Sequence, residues 1–138
     1  LDAAIGRAGE IDLAARDRST EAARVGQLRD RLWQGLRSAI PALARHTPED
    51  SLPNTLMISF PNVLGRDVLA AAPSVAASTG SACHAGHDTP AATLVAMGVS
   101  PEVALGAVRL SLGRRTTAGQ IDQAVAALAT AFRQVAGS

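Results

Sequence analysis

The sequence predicts a small α/β layer structure in one domain. Three observations point there: 138 residues, the usual size of a single domain; three short segments of strand-like alternation; and about five helix signals spread among them. Charge is nearly balanced, with 13 basic and 12 acidic residues giving +1, and aromatics make up only 2%. Neither a polyanion-binding surface nor a base-stacking platform follows from that, so nucleic acid is not an expected partner. One Cys, no long uninterrupted apolar run and no basic segment leading into an apolar one exclude a disulfide framework, a membrane span and a secretory signal; a reducing cytoplasm is expected. All 13 basic residues are Arg and none is Lys, so Schiff-base chemistry is beyond this chain acting alone. The first residue is Leu, which fits a processed start and also a piece of a longer polypeptide.

Residues 2–20 are Ala-rich and charged and predict a helix weakened by Gly6 and Gly9. From Thr20 onward Val25, Leu28, Leu32, Leu36 and Ile40 recur at spacings of three and four with Arg24, Arg29, Arg31, Gln34 and Arg37 between them, an amphipathic helix that Pro41 stops. Residues 45–54, with Pro48 and Pro53, read as a connecting loop. Thr55 to Phe60 alternates as a strand should, and Pro61 and Gly65 close it. A short helix is expected over 66–72 and a short strand over Ser74 to Ala77, leading into a small-residue run, 78–82, expected to be loop. Thr89-Pro90 and Ser100-Pro101 announce two helices, hydroxyl before proline, with Gly98 ending the first. Val108 to Leu112 is the third strand, and Thr117-Ala-Gly-Gln120 is a capping box before a last helix whose buried stripe is Ile121, Val125, Leu128, Phe132 and Val135.

Three groups of residues have chemical potential. Cys83, the sole thiol, sits among Gly80, Ser81, Ala82 and Gly86; on a flexible loop its thiolate could serve as a nucleophile that moves between a reaction centre and an acceptor. The alternative is a small buried hydrophobe. Cys83, His84, His87 and Asp88 are all metal-ligand types, but their spacing matches no common zinc pattern, and a closed site would need a distant ligand such as His46; no metal is expected. The alternative for both histidines is a solvated loop. Arg109, opposite Val108, Leu110 and Leu112 on its strand, should face a polar cleft, where a guanidinium can bind an amino-acid carboxylate through two parallel hydrogen bonds. The alternative is an ion pair with one of the twelve acids, while Arg114 and Arg115 read as surface charges.

Leu52-Pro-Asn-Thr-Leu56 followed by Ser59-Phe60, then Ser78-Thr-Gly-Ser-Ala-Cys83, then Val108-Arg-Leu-Ser-Leu-Gly-Arg114 with Thr116-Thr117 and Ile121-Asp122, resemble in order the motifs of the cysteine desulfurases and selenocysteine lyases, pyridoxal-phosphate enzymes of the class V aminotransferase type. The resemblance spans about residues 50–136. It implies the small C-terminal domain of a fold-type I transferase: a short, mainly antiparallel sheet packed with helices over 46–138, and a helical lead-in over 1–45 from a large domain outside this chain. That large domain would hold the pyridoxal phosphate and its lysine, with no cofactor-binding residue here, so the piece should not catalyse alone. By the same resemblance Cys83 is the catalytic cysteine, Arg109 binds the substrate carboxylate, and Gly80 and Gly86 act as hinges. Implied partners are L-cysteine or L-selenocysteine, a sulfur-acceptor protein, and a second copy in a homodimer. Cys83-His84 resembles the animal-type lyases, whereas the residues before Cys83 and the spacing to Pro90 resemble the desulfurases, the favoured reading. A different class stays open: a non-catalytic domain using Cys83 as a redox-sensitive or partner-binding thiol.

Overall fold

The computed structural model describes residues 2–47, 53–75, 77–79, 82–84 and 87–137, with backbone alone over 2–17, 82–84 and 87–89. It opens with helix α1 (Asp2–Ala39), one continuous helix where two were expected. Two glycines weaken a helix by about 1 kcal/mol each relative to alanine but do not break it, and no proline interrupts residues 2–39. Its predicted stripe is the buried one: Val25, Leu28, Leu32 and Leu36, continued by Ile40, all lie in the main core.

Four strands form an antiparallel sheet in the order β1-β2-β6-β3, where β1 is Ala44–Arg45, β2 is Thr55–Ser59, β3 is Ala77–Ser78 and β6 is Ala107–Ser111. The central pair aligns Leu56 with Leu110 and Ile58 with Val108, so one face is continuously aliphatic. It packs on α1, on α2 (Gly65–Ala70) through Val68, and on α5 (Ala118–Ala136) through Ile121, Leu128 and Ala131. Leu36, Leu56, Ile58, Phe60 and Leu128 are fully buried, each stabilising the fold by roughly 1.5–3 kcal/mol relative to exposure. Phe60 also stacks on Phe132, ring centres 5.7 Å apart. On α5, Val125, Phe132 and Val135 are half-buried flanks of the stripe.

Several expectations needed correction. Arg45 belongs to β1 and not to a loop, because its backbone pairs with Ile58. The strand expected over Ser74 to Ala77 is displaced to Ala77–Ser78, set by pairing with Leu110 and Arg109. The small-residue run is loop only in part: Ser78 is in β3 and Ala82 begins β4 (Ala82–His84), which pairs with β5 (His87–Thr89) in a separate two-stranded ribbon; Gly80 and Ser81 lie outside the described residues. Thr89 is consumed by that ribbon, so it does not cap α3 (Ala92–Ala96), which starts at Ala91 without a side-chain cap.

Other signals read correctly. At the end of α3, Gly98 has φ +91° and the Val99 and Gly98 amides donate to the Leu94 and Val95 carbonyls, a Schellman motif. Ser100 caps α4 (Pro101–Leu105), and Thr117 and Gln120 form the expected capping box.

Phe60 and Gly106 are locked backbone to backbone, the Phe60 amide donating to the Gly106 carbonyl at 2.9 Å. A Cβ at Gly106 would overlap the Phe60 carbonyl oxygen and lie 3.1 Å from that of Val63. Gly106→Ala therefore forces backbone apart, with an expected cost of about 1–3 kcal/mol and a lower thermal midpoint; an unchanged midpoint would show that the two segments separate freely.

Candidate active site

The sheet has a second face. At its Ala107 end it is covered by a smaller core of Ala91, Leu94 and Ala104, with α4 alongside β2. Toward the other end Arg109 is exposed and makes no hydrogen bond or ion pair among the described residues, which removes the described acids as its partners. The register places Ser78 of β3 on one side of it and Met57 of β2 on the other, with Ser111 paired to Thr55 two positions on. Pairs directly opposite in a ladder share a face, so Arg109 stands among Ser78, Met57, Ser111 and Thr55. Among the described residues this part of the face is exposed at Arg109, Ser111 and Ser78 and bordered by Met57, which packs on the smaller core. Arg114 and Arg115 are exposed, as expected.

Cys83 lies in β4, not in a loop. Only five positions separate it from Ser78, a span of at most roughly 17 Å, so the strand that flanks Arg109 leads directly to the thiol-bearing ribbon. In the ribbon, position 83 pairs with Asp88 and position 84 with His87. Neighbouring strand positions alternate between faces, which splits the four candidate metal ligands into two pairs; their side chains lie outside those described, as do residues 85–86.

His46, considered as a distant ligand, is otherwise engaged. Its backbone amide donates to the Met57 carbonyl at 2.9 Å, and its Nε2 lies 2.7 Å from Oγ of buried Ser59. Burial holds its pKa below the ordinary value of about 6.5. The folded protein therefore resists protonating His46 while the unfolded chain does not, and stability present above about pH 6.5 is lost as pH falls below it. Urea midpoints should drop between pH 7 and pH 5, and His46→Gln should flatten that slope; an identical slope in the variant would remove His46 as its source.

One positioning contact had no sequence signal. Arg24, read as a solvent-side residue of α1, donates to the carbonyls of Thr116 and Arg114, both at 2.7 Å, and pairs with Glu21. It ties α1 to the turn that leaves β6. Glu21 is held below the usual carboxylate range by its hydrogen bond to Arg24. A further link, from α1 to α5, is the two-pronged pair of Arg31 with Asp122, at 2.9 and 2.7 Å.

The chain does not fit pyridoxal phosphate as a complete site: without a lysine it cannot form the Schiff base that such a site requires. Among the described residues no helix is long and apolar enough to cross a membrane.

No family model matches the chain. It is similar to cysteine desulfurase IscS of Edwardsiella ictaluri, 36% identical over 121 residues, covering 88% of this chain and 30% of that protein. The enzyme of the same name from Histophilus somni is 34% identical over 95% of the chain and 32% of its own length. Among solved structures, a NifS-like protein superposes with a TM-score of 0.71 at 29% identity, over 91% of this chain and 32% of its own. Another, the NifS-like protein of Rickettsia africae, shares the fold at a TM-score of 0.58 and 21% identity. Across nearly its whole length the chain is thus a homologue of the cysteine desulfurases, and it spans about three tenths of theirs.

Proposed function

We propose that this chain is the C-terminal small domain of a pyridoxal-phosphate-dependent cysteine desulfurase, bringing the sulfur-accepting thiol, Cys83, and the carboxylate-binding Arg109 to a site completed by the rest of the polypeptide. The observation that carries this reading is the exposed sheet face: a guanidinium without an ion-pair partner among the described residues, on a rigid central strand and flanked by the strand that leads to the sole thiol. The relatives named cysteine desulfurase favour sulfur over selenium as the cargo.

Arg109 fixes the α-carboxylate of L-cysteine through two parallel N–H donors, which limits rotation of the bound amino acid and aims its side chain. The Cys83 thiolate attacks the substrate sulfur. An S–S bond forms and the carbon–sulfur bond breaks, its electron pair leaving with the carbon, which takes a proton to become L-alanine. The cofactor supplies an electron sink for that carbon when bound, and it is held outside this chain. The ribbon then presents the Cys83 persulfide to an acceptor protein. Among the described residues its strands of three residues pair only with each other, and isolated pairs of that size are weak structure able to rearrange. A reducing cytoplasm suits a catalytic thiol without disulfide partners, and by resemblance the whole enzyme is a homodimer.

The test is alanine release from L-cysteine and from L-selenocysteine by the natural polypeptide that contains this chain, supplied with pyridoxal phosphate. Release from L-cysteine is expected. Release from L-selenocysteine alone would move the assignment to a lyase, and release from neither would make the Cys83 ribbon a redox or partner-binding element.

A further inference from the structure

Independently of the desulfurase reading, we infer that a polar cleft between α1 and β1, on the Trp33 side of α1, is a binding site for a phosphate group. The cleft has a volume of about 400 Å³, room enough for a phosphorylated small molecule. Arg29, Trp33 and Arg37 form one stripe of α1 at successive spacings of four, and Arg45 of β1 folds back over Trp33, its guanidinium carbon 5.7 Å from the centre of the ring. Arg45 is fixed further by its Nε donating to the Thr47 carbonyl at 2.9 Å, while its Nη2 is buried with no hydrogen-bond partner among the described residues.

The charge balance points to the ligand class. Asp30 lies 3.4 Å from the buried Arg29 guanidinium and answers that charge. Arg37 and Arg45 have no carboxylate within ion-pair distance among the described residues. Two cations without a carboxylate partner among the described residues thus line one cleft, where like charges repel unless an anion joins them. A phosphate monoester carries about two negative charges at neutral pH and offers several acceptor oxygens suited to guanidinium forks; a single carboxylate would leave one charge over.

The experiment is calorimetric titration of the natural holoenzyme, its cofactor site already filled, with inorganic phosphate and in parallel with adenosine monophosphate, which distinguishes free phosphate from the phosphate of a larger molecule. Saturable binding is expected, weakened by about tenfold or more in Arg37→Gln and in Arg45→Gln and unchanged in Arg133→Gln, an exposed residue of α5 that does not line the cleft. Arg37 is exposed, so its variant should fold and keep the test decisive even if Arg45→Gln does not. Absence of saturable binding, or binding that Arg37→Gln leaves intact, would overturn the assignment. So would binding that appears only when Glu49→Gln and Asp50→Asn are introduced, since the chain's own acids would then be the occupants.

Discussion

Cys83→Ala, introduced into the natural polypeptide, is expected to reduce alanine release from L-cysteine by about a thousandfold or more, the usual scale for loss of a nucleophile. The size follows from the role assigned to Cys83: it is the only thiol in this chain, and no other side chain of the chain can form a persulfide. Cys83→Ser should be no better, because a hydroxyl is far less ionised near neutral pH and is a poor nucleophile toward sulfur. Substrate binding should survive both changes, since the carboxylate contact is assigned to Arg109 on a different strand. A residual rate near the native one in Cys83→Ala would mean that the sulfur acceptor lies elsewhere.

The second large effect concerns Arg109. Arg109→Ala should lower kcat/KM for L-cysteine by about 10²–10³, expressed chiefly as a raised KM, because the charge-assisted pair with the substrate carboxylate is lost in ground and transition states alike. Arg109→Lys should recover only part of this, an ammonium being unable to present two parallel donors. The fold should tolerate both changes: Arg109 is exposed, makes no ion pair among the described residues, and contributes to the ladder through its backbone. An unchanged KM in Arg109→Ala would exclude it as the carboxylate ligand.

The legible parts of the fold are those with local or periodic causes. The stripe from Val25 to Ile40, the alternation around Arg109, and the caps at Ser100 and Thr117 each follow from residues within a few positions of one another, and each is present. Elements created by pairing were not legible. β1 is two residues long and exists because Ser59 and Ile58 lie opposite, and the small residues of β4 carry weak strand preference, so its partner β5 decides its conformation. Arg24 reaches carbonyls about ninety positions away, a contact that leaves no trace in neighbouring sequence. The two candidate site residues stood out by type, a lone thiol among small residues and a cation on an apolar strand. Their connection through Ser78 required the register.

The most direct measurement is the mass of the Cys83-containing peptide after the natural polypeptide, loaded with cofactor, has turned over L-cysteine and been trapped by alkylation. The account predicts one added sulfur atom on Cys83, removable by a thiol reductant, formed together with one alanine per site in a single turnover. Alanine formed in that turnover while Cys83 carries no added sulfur would contradict it.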